Sequence, residues 1–267
     1  MKIIISHDVD HLTASEHFKD SLIPKFIIRN TIELILKKIT FTEYGRRFNS
    51  IITNKWNNIS ELIDYNKKHN IPATFFIGVN NGIGLNYNLN LSSKWIKEII
   101  ARGVDCGVHG IAYNNFNDVK EEYKTFQQLS GLKEFGIRMH YLRNDEKTFD
   151  NLSKCGYIFD STEYGINKHH KISEMHEFPL HIMESYELEA GKKWQSKTTQ
   201  EAVESAIDKI KEAEEKGIEY LTILFHDRYF DHSFQSWKNW YIDITNYCKA
   251  QGYEFVNYKQ AILNINK

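Results

Sequence analysis

The segment Asp8-Val9-Asp10-His11 directly follows the apolar run Ile3-Ile4-Ile5, so two acids and an imidazole fall where a strand should end. Alternate side chains of a strand share a face, so Asp8 and Asp10 are expected to point the same way. Two carboxylates held that close repel unless a cation or a proton lies between them. The pattern recurs downstream, where apolar runs end in Val108-His109-Gly110, Arg138-Met139-His140-Tyr141, Asp160-Ser161-Thr162 and Leu224-Phe225-His226-Asp227. In a barrel of parallel strands the carboxyl ends converge on one face, where chemistry sits. One carboxylate with two imidazoles, leaving positions open for water, suits a catalytic divalent ion. Such an ion acidifies water and polarises a carbonyl, the chemistry of amide or ester hydrolysis. A second carboxylate would take the water's proton and a histidine would protonate the leaving amine, and Asp8 and His226 suit those roles.

The elements that must position these groups alternate along the chain. Strands are expected at Lys2–Ser6, Ala73–Val79, Asp105–Gly110, Phe135–Tyr141, Tyr157–Thr162, Glu177–Met183, Tyr220–Asp227 and Tyr253–Asn257. Helices are expected at Trp56–His69, Ser92–Ala101, Asp118–Leu129, Glu146–Lys154, Thr199–Lys216 and Ser236–Lys249. Thr199 is expected to cap the fifth helix and Gly217 to stop it. The alternation predicts an α/β protein with a parallel sheet flanked by helices. At this length it is expected to curl into a distorted (β/α)7–8 barrel, one catalytic domain over residues 1–267. Residues 16–40 are read as a helical insertion after the first strand, with Ile27, Ile28, Ile32, Leu34 and Ile35 as its buried stripe on the barrel. Gly82–Leu91, rich in Asn and Gly, reads as a loop.

Composition narrows the function. Lys plus Arg (34) nearly balance Asp plus Glu (35), so no basic field argues for nucleic acid. Hydrophobic residues make up 41% of the chain, enough for a core, yet no apolar run is long enough for a transmembrane segment. No secretory signal is read at the start, and Cys106, Cys155 and Cys248 form no CxxC pair, so a reduced, cytoplasmic setting is expected. GxxxxGK, GxGxxG and GxSxG are absent, which removes nucleotide-cradling and serine-hydrolase readings. Tyr229 and Phe230, after His226, would either stack on sugar rings or pack their loop.

The ordered motifs resemble those of the polysaccharide deacetylases (carbohydrate esterase family 4, the NodB-homology fold), over Ile3 to Asp227. The resemblance implies a distorted (β/α) barrel and a divalent metal. It makes Asp8 the general base and Asp10 a metal ligand. The family's His-x-x-x-His motif reads His109-Gly110-Ile111-Ala112-Tyr113 here, so the first ligand is present and the second is Tyr. Its Arg-x-Pro-aromatic motif reads Arg138-Met139-His140-Tyr141, with His in the Pro position. His140 is therefore expected to replace the missing ligand, giving Asp10, His109 and His140, with His11 as the competing candidate. Arg138 would steer Asp8, the Tyr141 main-chain amide would support the oxyanion, and His226 would be the general acid. Asp160 would orient His226 or pair with Arg138.

The implied activity is deacetylation of an N-acetylated sugar, sugar nucleotide or glycolipid, as in surface-polysaccharide (O-antigen-like) assembly. Zn2+ is the expected ion, with Ni2+, Co2+, Mn2+ and Fe2+ open. Tyr113 also fits an alternative, a degenerate barrel that binds glycans without deacetylating them.

Overall fold

The computed structural model describes all 267 residues. The chain opens with strand β1 (Lys2–Val9), followed by helices α1 (Leu22–Ile35), α2 (Phe41–Ile52) and α3 (Ile59–Lys68). Then β2 (Ala73–Ile77), α4 (Leu89–Ala101), β3 (Asp105–Gly110), α5 (Phe116–Ser130), β4 (Ile137–Met139) and α6 (Thr148–Cys155) alternate. Next come β5 (Phe159–Asp160), the antiparallel hairpin of β6 (His170–Ile172) and β7 (Met175–Glu177), and β8 (Leu180–Met183). The remainder is α7 (Glu184–Glu189), α8 (Thr199–Glu215), β9 (Tyr220–Leu224), α9 (Gln235–Ala250), β10 (Glu254–Phe255) and α10 (Tyr258–Ile265).

Strand order is β6-β7-β5-β4-β3-β2-β1-β9-β8, with β10 paired to the start of β1. Beyond β5 the chain reaches β8 through one bridge, Tyr164 to Leu180. Leu180 N donates to Glu163 O (2.7 Å) and Gly165 N donates to Leu180 O (3.0 Å). The sheet therefore curls almost shut, a distorted (β/α) barrel with one irregular seam.

Register decides which side chains look inward. Asp8 lies level with Phe76, Phe76 with Gly107, and His109 with Arg138, so these residues share the interior face with Ile4 and Ser6. The lower interior is filled by Ile4, Phe76, Phe159, Phe178, Tyr220 and Tyr258. The fit there is tight: a Cβ on Gly107 would lie 2.7 Å from Gly136 O and 2.9 Å from the Phe76 ring. The opposite face of β1 carries Ile3, Ile5 and Val9 into the larger core beneath the helices. With the barrel floor packed by aromatics, polar side chains have room only at the carboxyl ends of the strands.

Several expectations require correction. Residues 16–40 do not form one helix with an isoleucine stripe against the barrel. A short 3-10 turn precedes α1, which buries Phe26, Asn30 and Glu33 and leaves Ile28 59% and Ile35 72% exposed. The polar residues win the buried face because they are paired: Arg47 Nη1 donates to Glu33 (2.5 Å) and Asn30 (2.9 Å), and Arg29 Nε donates to Glu33 (3.0 Å). The second helix of this insertion, α2, lies outside the expected elements altogether. Glu177–Met183 is two strands, because Pro179, without an N–H, interrupts the ladder between β7 and β8. The cap of α8 is Thr198, which accepts from Glu201 N while the Glu201 carboxylate reaches back to Thr198 N.

Candidate active site

β1 carries Asp8 inward at its end, and the chain just beyond it brings Asp10 to the same rim. β3 supplies His109, and the turn after β4 supplies His140. Asp10, His109 and His140 present ligand atoms that all lie within 4.8 Å of one another. Asp10 Oδ1 is 3.1 Å from His109 Nε2 and 3.5 Å from His140 Nδ1, and those two nitrogens are 3.0 Å apart.

The remaining ring nitrogens fix both imidazoles. His109 Nδ1 donates to Arg138 O (3.2 Å) and His140 Nε2 donates to Ile83 O (3.1 Å). The other nitrogen of each ring then faces the cluster centre, the orientation in which outer hydrogen bonds hold metal-ligating histidines. Two imidazole lone pairs and a carboxylate oxygen cannot converge without a cation or an added proton among them. The donor set therefore fits a divalent ion. Ile83 holds its carbonyl in place at φ 52, a conformation unusual for a β-branched residue and strained by about 1–2 kcal/mol.

Charges around the cluster are interlocked. Burial pushes the Asp10 carboxyl up, but hydrogen bonds to His109 and His140 hold it well below the usual carboxylate range. Burial acts to lower His109, yet Asp8 and Asp10 raise it, which is the response of a site short of positive charge. Asp8 Oδ2 lies 3.8 Å from His109 Nδ1, and Asp8 Oδ1 accepts from Arg138 Nη1 (3.1 Å). Arg138, fully buried, also donates to Ser6 Oγ (2.8 Å), Ser161 O (2.9 Å), Ser161 Oγ (2.9 Å) and Tyr258 OH (2.7 Å), with its guanidinium carbon 4.8 Å from the Phe76 ring centre. So anchored, it can hold Asp8 in one orientation.

His226, on the inward face past β9, places Nε2 3.7 Å from Asp10 Oδ2. Its Nδ1 lies 2.5 Å from Glu184 Oε1, at the start of α7. Burial acts to lower His226, but the Glu184 charge and hydrogen bond, with Asp10 and Asp8, raise it to about 10. Asp10 (23% exposed) and His226 (17%) face the opening, whereas Asp8 and His109 sit deeper.

Asp160 is not part of this arrangement. Phe159 and Ser161 face the barrel interior, so alternation turns Asp160 to the other face. There Thr162 Oγ1 donates to it (2.7 Å), and a hydrogen bond to Glu177 makes a buried acid pair whose members are both raised, chiefly by burial. It neither touches His226 nor contacts Arg138 directly.

His11 also stays outside the cluster. Its Nδ1 is 2.9 Å from His17 Nε2, and His17 Nδ1 is 2.8 Å from Asp20. Tyr113, in the position where the motif has its second histidine, accepts from Arg143 Nη2 (2.9 Å) under that residue's guanidinium. Tyr141 stands at φ 57 with its ring 69% exposed at the mouth. Phe230 is buried, and Tyr229 stacks on Trp237 at 4.1 Å.

Sequence reading missed Glu184 and Glu177. Glu184 carried the signal used for the other site residues, a charged side chain directly after an apolar strand, Leu180–Met183.

A curled parallel barrel thus gathers acids and imidazoles at its carboxyl rim, three of them placed so that they could hold a metal ion. No protein-family model and no curated protein matches the sequence. Solved structures do. A candidate polysaccharide deacetylase from Mycobacterium smegmatis aligns with a TM-score of 0.65 at 12% identity, over 99% of this chain and 90% of that one. A peptidoglycan N-acetylglucosamine deacetylase aligns at 0.51 and 13% identity, over 97% and 86%. A pseudoenzyme of carbohydrate esterase family 4 from Bacillus anthracis aligns at 0.51 and 10% identity, over 97% and 64%. A mutant of that pseudoenzyme with restored activity aligns equally well. The protein has the polysaccharide deacetylase fold, which its structural neighbours carry both as a deacetylase and as a pseudoenzyme.

Proposed function

We propose that the protein is a metal-dependent deacetylase that hydrolyses the acetamide of an N-acetylated sugar. The observation that carries this reading is the convergence of Asp10, His109 and His140, flanked by an arginine-held carboxylate and a carboxylate-held imidazole. A divalent ion held by Asp10, His109 and His140 would supply Lewis-acid activation of water and of the acetyl carbonyl, and two imidazoles with one carboxylate favour zinc.

The chain's own groups supply the rest. Asp8, oriented by Arg138, accepts the water's proton. The Tyr141 main-chain N–H donates to the oxygen that gains charge. His226, carrying the proton that Glu184 stabilises, delivers it to the departing nitrogen. Arg138 positions Asp8 without touching substrate, and Glu184 does the same for His226.

The test is acetate release by the zinc-loaded protein from N-acetylated monosaccharides, oligosaccharides, sugar nucleotides and glycolipids. Acetate that disappears in Asp8→Asn supports the proposal, and the substrate it comes from identifies the carrier. A protein with a full equivalent of metal that releases none from any of them refutes it. Tyr113 in the second-histidine position favours the other reading, a glycan-binding barrel without turnover. That reading predicts glycan binding with no acetate released.

A further inference from the structure

We propose that the α1–α2 hairpin is a docking surface for an anionic lipid membrane. The two helices lie against each other, with Thr31 Oγ1 3.4 Å from Tyr44 OH, and are fastened to the body by buried Arg47, which donates to Ser233 O (2.7 Å). Their outer faces carry an apolar stripe with no partner. Ile28 and Ile35 are seven residues apart on α1, and Leu36 follows. Phe41, Phe48 and Ile52 repeat at helical spacing on α2. Exposure runs from 47% for Phe48 to 82% for Phe41. Exposed side chains of this size, aligned along each helix, mark an interaction surface.

Charge identifies the occupant. Every exposed ionisable side chain between residues 16 and 55 is a cation: Lys19, Lys25, Lys37, Arg46 and Lys55. The four acids of the same segment are tied up internally. Glu16 accepts from Thr13 N (2.9 Å) and Asn88 N (3.0 Å), and Asp20 from Leu22 N (2.7 Å). Glu33 is buried between Arg29 and Arg47, and Glu43 accepts from Thr40 N (2.9 Å) and Gln235 N (3.3 Å). Of the exposed cations, only Lys55 meets an acid, Glu61. The chain as a whole has a formal net charge of −1, so this basic patch is local.

A two-fold contact with a second copy would set these cations against each other. An anionic bilayer instead offers headgroups to the lysines and acyl chains to the stripe. At 14 and 12 residues the helices are shorter than the roughly 20 needed to span a bilayer, so they lie in its interface. The hairpin also adjoins the site's rim. The Arg228 guanidinium, two residues past His226, sits 4.4 Å over Phe26 of α1. Docking holds the mouth near lipid-borne material.

The inference is independent of the proposed reaction, because vesicle binding needs no turnover. The test is flotation of the full-length protein with vesicles of phosphatidylcholine alone or mixed with phosphatidylglycerol. Binding is expected only to the phosphatidylglycerol vesicles and weakens in salt. Phe41→Ser with Ile52→Ser lowers partition at least about tenfold. Lys25→Glu with Lys37→Glu lowers it by about fivefold per charge or more. These positions are exposed, and unchanged thermal melts confirm that the variants fold. Equal binding to both vesicles, binding untouched by the four substitutions, or a dimer or a soluble acidic partner held by the same stripe without any vesicle binding overturns the proposal.

Discussion

Replacing Glu184 with Gln tests how the site keeps an acid ready. Glu184 is fully buried and its Oε1 lies 2.5 Å from His226 Nδ1, so Gln keeps the shape and removes the charge. At an effective dielectric of about 20 and a charge separation of about 4 Å the pair is worth about 4 kcal/mol. At 1.36 kcal/mol per pK unit that is about three units. The elevation of His226 to about 10 is thus largely the work of this partner, with Asp10 and Asp8 adding to it. The sign follows from the role. A raised histidine stays protonated as pH climbs, so acid catalysis persists up to its folded pKa and is lost above it. Wild-type kcat should hold further into the alkaline range than that of Glu184→Gln, whose activity should be lost about two to three units lower. At pH 6 the two should be comparable. The assay is acetate release across pH at saturating substrate. A Glu184→Gln enzyme whose rate is reduced equally at every pH would refute the reasoning. So would an alkaline limb that moves in Asp160→Asn, because Asp160 faces away from His226.

Other consequences are open to measurement. Arg47→Met leaves Glu33 buried with only Arg29 and should cost about 3–5 kcal/mol of stability in urea unfolding; a loss within error would place the insertion's anchorage elsewhere. Tyr113→Phe should leave bound metal unchanged, since Tyr113 OH answers to Arg143 and not to the cluster; loss of metal would make it a ligand. Arg138→Gln should lower kcat far more than it raises KM, because Arg138 holds Asp8 and lies out of reach of substrate. A change in KM alone would count against that.

Much of the architecture could be read from alternation. Asp8, Asp10, His109, Arg138, His140 and His226 all follow apolar runs, and parallel strands of a barrel end on one rim, so their meeting was legible without coordinates. What misled was face. Asp160 ends a strand as the others do, but a two-residue strand gives no periodicity from which to read its direction. The insertion misled for a different reason. Apolar spacing assigns isoleucines to the inside, and only the pairing of Glu33 with Arg29 and Arg47, from two helices, reverses it. Glu184 opens α7, and in sequence an acid in the first turn of a helix looks the same whether it caps an exposed end or is buried against a histidine from another strand.

The proposed reaction requires one ion held by Asp10, His109 and His140. Zinc titration followed by calorimetry, on protein first stripped by chelator, tests it most directly. The wild type should bind one equivalent, and His140→Ala should bind it at least about tenfold more weakly, with His11→Ala unchanged. Full stoichiometry and undiminished affinity in His140→Ala would contradict it.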